Sequence, residues 1–197
     1  MGVISGIVLA GGTSSRLGRP KQLLDLGGRP VLQHVLEAAR AGGLDEVVVV
    51  LGHLAGEVAA ALSLPPGART VVNPEYATGQ ASSLRTGLAA ADPGSEAALI
   101  LLGDQPGMRP ADIEAVASAF RRGAGPVVQG SYRGVPGHPV LFARQLWPEL
   151  LAVEGDRGAR DVLKAHPEWV TRVDVDADPP PDLDTLEDYA RLKEQQP

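Results

Sequence analysis

Apolar residues in this chain come in short, nearly unbroken runs, each closed by glycine, proline, asparagine or aspartate. Seven runs stand out: "ISGIVLA" (4–10), "EVVVVLG" (46–52), "TVVN" (70–73), "AALILLGD" (97–104), "PVVQGSY" (126–132), "HPVLFA" (138–143) and "TRVDVD" (171–176). The first four are almost continuous in Val, Ile and Leu, the pattern of strands buried on both faces of a parallel sheet. Helical periodicity fills the intervals at about 30–42, 54–62, 81–91 and 110–122, and again near 144–151, 157–166 and 185–195. Alternation of strand and helix predicts βαβ units with right-handed crossovers. The strands flanking "RGVPGH" are too close for a helix, so an antiparallel hairpin is expected there, with Gly-Pro-Gly chemistry suited to its turn. The expected fold is α/β: a three-layer, Rossmann-like sandwich whose mostly parallel sheet carries one antiparallel hairpin.

Composition narrows this picture. A chain of 197 residues with 44% hydrophobic and 21% charged content suits one domain over 1–197. No apolar run approaches the roughly 20 residues of a membrane span. "MGVISGIVLA" lacks a basic leader and reads as a first strand. Cysteine is absent, which removes disulfides and zinc-thiolate sites together and makes a cytoplasmic location the expectation. A net charge of −6, from 18 Lys+Arg against 24 Asp+Glu, argues against a nucleic-acid surface. It leaves room for a small basic phosphate site.

Ligands of open α/β sheets gather at the carboxyl ends of strands. Four such ends carry chemistry: the loop after residue 10, "NPEYATGQASS", "GDQP" and "DLDT". The first, "LAGGTSSRLGRPKQLL", is neither a Walker A loop nor a dinucleotide fingerprint. Its backbone N–H groups from Gly11 to Ser15 can curl around phosphate oxygens. Arg16 adds a planar fork and Lys21 a compact charge. "LILLGDQP" ends a buried strand on Asp104, a costly place for a carboxylate without a cation. That makes Asp104 a Mg²⁺ ligand candidate, since hard cations share oxygen ligands with phosphates. Asp112 is the better-placed N-cap for the helix that follows.

The opening segment "LAGGTSSRLGRPKQLLDLGGRPVLQHVL" resembles the nucleotidyltransferases that attach a nucleotide to molybdopterin, members of the sugar-nucleotide pyrophosphorylase-like superfamily. Their pattern, L-A-[GA]-G-x-S-x-R-x-G-x-x-K, is met throughout, with Ser14, Arg16, Gly18 and Lys21 in place. "NPEYATGQASSL", "GDQP", "GVPGHPVLF", "GDRGAR" and "DLDTLEDY" extend the resemblance over nearly the whole chain. It implies a nucleotide-diphospho-sugar transferase fold and a nucleotide site made by Leu9, Ala10, Gly11, Gly12, Ser14, Ser15, Arg16, Lys21, Gly79, Gln80 and Ser83. Arg16, Lys21 and Asp104 would be the catalytic residues. By resemblance Asp184 completes a Mg²⁺ site with Asp104, Asp182 being the alternative on the same segment. An aspartate and a threonine before an acidic first turn also make an ordinary capped helix. Ser82 and Ser83 also suit an N-cap. "GVPGHPVLF" and "GDRGAR" would shape an acceptor pocket through Gly137, His138, Asp156 and Arg160.

The implied reaction is transfer of a nucleoside monophosphate from a nucleoside triphosphate to a phosphorylated acceptor, molybdopterin by resemblance, with release of pyrophosphate. "KQLL" and "GHPVLF" favour CTP, whereas Gly11 is the guanylyl-type residue and keeps GTP open. A sugar-phosphate acceptor is the nearer alternative. A non-catalytic cofactor-binding factor for a molybdoenzyme, or a partnership with such an enzyme or its chaperone, is the more distant one. Neither nucleic acid nor membrane is expected as a partner.

Overall fold

The computed structural model describes residues 2–13 and 20–194. In chain order its strands are β1 (Val3–Ala10), β2 (Asp25–Leu26), β3 (Arg29–Pro30), β4 (Glu46–Leu51), β5 (Ala68–Val72), β6 (Ser95–Leu102), β7 (Val127–Tyr132), β8 (Val135–Ala143) and β9 (Val170–Val175). Its α-helices are α1 (Val31–Ala41), α2 (Ala55–Ala60), α3 (Gln80–Ala90), α4 (Pro110–Arg121), α5 (Trp147–Leu151), α6 (Arg160–Ala165) and α7 (Leu186–Glu194). Seven strands form one sheet in the order β5-β4-β1-β6-β8-β7-β9, and β2–β3 make a separate small hairpin. β5, β4, β1 and β6 are mutually parallel, β8 is antiparallel to both β6 and β7, and β9 pairs parallel with β7. This is the α/β fold of the nucleotide-diphospho-sugar transferase type.

Alternation along the central strands sorts the core into two sides. Val8, Val47, Val49, Leu99 and Leu101 face α1 and α4 in one cluster. Ile7, Val48, Val50, Ala98 and Ile100 face α3, α5 and α6 in the other. Each such aliphatic side chain contributes about 1.5–3 kcal/mol when fully buried. Burial on both sides is therefore what fixes β1, β4 and β6 at the centre. β5 departs from the expectation of two-sided burial. It is an edge strand, and its Val72 is 59% exposed. Its β-branched run serves pairing with β4 rather than a second packed face.

The hairpin turn also differs from the expected Gly-Pro-Gly position. Arg133 and Gly134 take the two left-handed positions (φ +46° and +87°), as a two-residue hairpin turn of the right twist requires. Pro136 and Gly137 instead lie within β8, opposite Ser131 and Gly130. Among the described residues no helix is long and apolar enough to cross a membrane.

A third apolar cluster positions the site. Leu24, Leu26 and Val31 meet Leu183 and Leu192, with Tyr189 against them. The cluster ties the segment after Lys21 to the segment before α7.

Candidate active site

The carboxyl ends of β1, β4 and β6 lie side by side, with Ala10 opposite Leu51 and Leu9 opposite Leu102. Each strand stops where a glycine follows: Gly11, Gly52 and Gly103. Gly11 is wedged between neighbours. A Cβ there would stand 2.9 Å from Ser83 Oγ, and a Cβ on Gly52 would stand 2.5 Å from the Gly11 carbonyl oxygen. No described residue would crowd a Cβ on Gly12. The adjacent glycines thus do different things: one permits close packing, the other leaves the backbone open to a ligand. Buried Gln22 holds the loop, donating from Nε2 to the Ala10 carbonyl at 2.8 Å. Sequence reading passed over this residue; the polar interruption in "KQLL" was its signal. Ser14, Ser15 and Arg16 lie outside the described residues.

The "NPEYATGQASS" element is built on Asn73, which is buried. Its Nδ2 donates to Ser82 Oγ at 2.8 Å and to Ser83 Oγ at 3.0 Å. The two serines are buried third and fourth residues of α3, so they are not N-caps. Gly79 takes the cap position at φ +115°, and a Cβ on it would meet the Gly155 carbonyl at 2.6 Å. A left-handed backbone and an oncoming chain both require glycine there.

Beyond β6, three charged side chains converge. Lys21 Nζ contacts Asp104 Oδ2 and lies 3.0 Å from Asp184 Oδ1. Burial alone would lower the lysine pKa, but Asp104 first and Asp184 second reverse this and raise it, so Lys21 stays an ammonium ion. Asp184 is brought in by its neighbour. Leu183 is fully buried in the third cluster, and its N–H donates to the Asp104 carbonyl at 3.0 Å. The aspartates on either side of it point to different partners: Asp184 to Lys21, Asp182 to Gln105 Nε2 at 2.8 Å. Burial raises the Asp182 pKa, with Asp104 and Asp184 adding to it. The segment forms no strand and belongs to neither sheet. The capped-helix reading of the same motif also holds, since Thr185 N donates to Asp188 Oδ2 at 2.8 Å and Asp188 N to Thr185 Oγ1 at 3.1 Å.

Asp112, expected as an N-cap, is instead the third residue of α4 and buried. It accepts from Arg109 Nε at 3.0 Å and Nη2 at 2.7 Å, and faces the Tyr132 hydroxyl at 3.4 Å. That hydroxyl donates to the His138 carbonyl at 2.6 Å. Tyr132 therefore fixes the backbone of His138, a support that sequence reading missed. His138 itself lies with Nδ1 3.2 Å from the Ile100 carbonyl oxygen, and burial lowers its pKa, keeping the ring neutral.

Two clefts meet here. The smaller, about 390 Å³, is lined by Gly11, Gly12, Lys21, Ser83, Asp104 and Asp156 among others. The larger, about 710 Å³, is lined by Gly137, His138 and Arg160 and extends over the sheet. Leu9, Gln80 and Leu102 border both. Asp156, grouped by sequence with the acceptor residues, thus lies on the Gly79 side, apart from His138 and Arg160. The donor set suits a hard divalent cation: Asp104 and Asp184 aim oxygens at one ammonium ion, the charge a metal would replace. Among the described residues no group of three His, Cys, Asp or Glu forms a complete ligand set. Any further ligands would come from phosphates and water.

A family model described as the MobA-like NTP transferase domain matches residues 6–170. A protein of Paenarthrobacter nicotinovorans named nicotine blue oxidoreductase is 36% identical over 199 residues, covering 96% of each chain. Among solved structures, Rv0371c of Mycobacterium tuberculosis H37Rv superposes with a TM-score of 0.89 at 37% identity, covering 98% of this chain and 99% of that one. A second structure of Rv0371c, in complex with manganese, gives a TM-score of 0.83 at 33% identity over 98% and 99% of the two chains.

Proposed function

The chain belongs to the MobA-like NTP transferase family and is a nucleotidyltransferase by type, and on that basis we propose that it transfers a nucleoside monophosphate to a phosphorylated organic acceptor. The observation that carries this reading is the convergence of Lys21, Asp104 and Asp184 on the rim of a glycine-lined cleft. The triphosphate lies along the backbone of Gly11–Thr13 with Lys21 beside it, and the nucleoside reaches Gly79, Gln80 and Ser83. Arg16 would add its fork from the same loop. The acceptor enters from the larger cleft past Gly137, His138 and Arg160. Its phosphate oxygen attacks the α-phosphorus, forming the new O–P bond as the bond to the β-phosphate breaks and pyrophosphate leaves. A phosphate monoester is already anionic near neutral pH, so the protein supplies no nucleophile. Positioning and charge neutralisation do the work. A divalent cation on Asp104 and Asp184 would polarise the phosphoryl oxygens and neutralise charge. Mg²⁺ is the proposed ion, and the manganese complex of a relative supports divalent metal use.

The finer reading is a single domain over 1–197 that works in the cytoplasm on CTP, with GTP as the alternative. Molybdopterin is the proposed acceptor and a molybdoenzyme or its chaperone the proposed recipient. The test incubates the protein with Mg²⁺, each of the four nucleotides, and molybdopterin or sugar phosphates, and measures pyrophosphate. Metal-dependent release with one base and one acceptor is expected; no release with any pair overturns the reading. A second reading rests on the full-length similarity to an enzyme named as an oxidoreductase. Oxidation of a reduced nicotinamide in the presence of a redox dye, without pyrophosphate release from any nucleotide, would favour it.

A further inference from the structure

The larger cleft has a direction. Strand register sets Ile100 beside Val140, Val140 beside Gln129, and Gln129 beside Arg172. All four line the cleft. The row crosses β6, β8, β7 and β9, changing from aliphatic to amide to guanidinium with distance from the Asp104 side. At about 4.8 Å per strand it spans roughly 14 Å. α6 covers the row and contributes Arg160 and Lys164, one helical turn apart and on the same face.

The charge balance is as directional as the geometry. Among the described residues no aspartate or glutamate lines this cleft. Arg160, Lys164 and Arg172 form no ion pair among the described residues, whereas Arg29, Arg69, Arg109, Arg121, Arg133 and Arg191 each meet a carboxylate. Among the described residues Arg40, Arg85, Arg122, Arg144 and Lys193 also form no ion pair; what sets Arg160, Lys164 and Arg172 apart is that they gather around one apolar floor in a chain of net charge −6. All three are exposed, so their mutual repulsion is screened by water, and what they offer an anion is a cluster of like charges at the edge of the cleft.

We propose that the larger cleft binds an organic anion with a flat or extended apolar body, and that Lys164 and Arg172 hold a second anionic group at the end remote from Asp104. Resting on the reading that a nucleotide fills the smaller cleft, this narrows the acceptor class: a molecule with a reacting phosphate at one end and a second anion at the other is preferred to one such as molybdopterin, whose pterin end is neutral. Neutral-tailed acceptors of the same shape bind more weakly by about tenfold, the worth of one charge-assisted hydrogen bond.

The probes are 8-anilinonaphthalene-1-sulfonate and N-phenyl-1-naphthylamine, which share an aromatic body but differ in the sulfonate. Fluorescence titration of the wild type should show the sulfonate dye binding at least about tenfold more tightly. In the Lys164→Ala, Arg172→Ala double variant that preference should vanish while affinity for the neutral dye, which reports an intact cleft, is kept. Arg172→Lys should restore part of it. Equal binding of both dyes to the wild type, no binding of either, or a preference surviving in the double variant would each overturn the proposal. Pyrophosphate plays no part in this readout. Failure of nucleotidyl transfer with dye discrimination intact would count against the function reading and leave the anion site standing.

Discussion

The two clefts share a wall but are made of different material. The smaller is made largely by backbone, with Gly11 and Gly79 placed where a side chain would collide and Gly12 left open. Its charged groups, Lys21, Asp104 and Asp184, are locked to one another. The larger is made of side chains on a sheet face, and among the described residues its cations meet no carboxylate. A backbone site can be shared by every nucleoside triphosphate, because phosphate geometry does not vary. A side-chain site is where one family member can differ from another, and the proposed function puts acceptor choice there.

That contrast can be broken most sharply on the backbone side. Asp104→Asn and Lys21→Ala should each lower turnover at least about a hundredfold, the scale of one preorganised electrostatic group, in a pyrophosphate-release assay. Retained activity in both would remove the site assignment. The next effect separates the two aspartates beside Leu183. Asp184→Asn should raise the metal concentration for half-maximal rate about tenfold or more, whereas Asp182→Asn should leave it nearly unchanged. An equal response would mean that the contact with Lys21 does not identify the ligand. Gly79→Ala should cost about 1–3 kcal/mol of stability by urea unfolding, from a left-handed backbone and a blocked chain. Gly12→Ala should leave stability unaltered while weakening nucleotide affinity. The smallest expected effect belongs to the side-chain cleft. His138 is held neutral, with its pKa below the ordinary 6.5. Its contribution to stability is therefore complete above about pH 6.5 and is lost as the pH falls toward the depressed value. His138→Gln should flatten that part of the acid limb in urea titrations, and an unchanged slope would assign it elsewhere.

How much of this was legible follows the same division. The central strands β1, β4 and β6 were announced by continuous apolar runs, because two-sided burial leaves little other composition, whereas β7 and β9 showed only as mixed or alternating runs. The β2–β3 hairpin escaped notice, since two-residue strands carry no periodicity. Polar residues read as helix caps went elsewhere: Asp112 to Arg109, and Ser82 and Ser83 to Asn73. Their partners lie three to ten residues back along the chain, and a capping propensity does not register such side-chain partners. Asp104 and Lys21 were legible because loops at strand ends have few structural uses for charge. Arg172 was not, because an arginine in the alternating run "TRVDV" looks like any solvated edge residue. Its neighbours across the sheet give it meaning.

The junction at Leu183 also has a consequence for the order of assembly. Lys21 and Asp184 are separated by 163 positions, and the aspartate arrives only when Leu183 docks beside Leu24 and Leu26. A chain emerging from its N-terminus can form the glycine-lined cleft before this contact exists. The meeting of Lys21 and Asp184 then waits on the seating of one leucine, a late-closing joint between the two ends of the described chain.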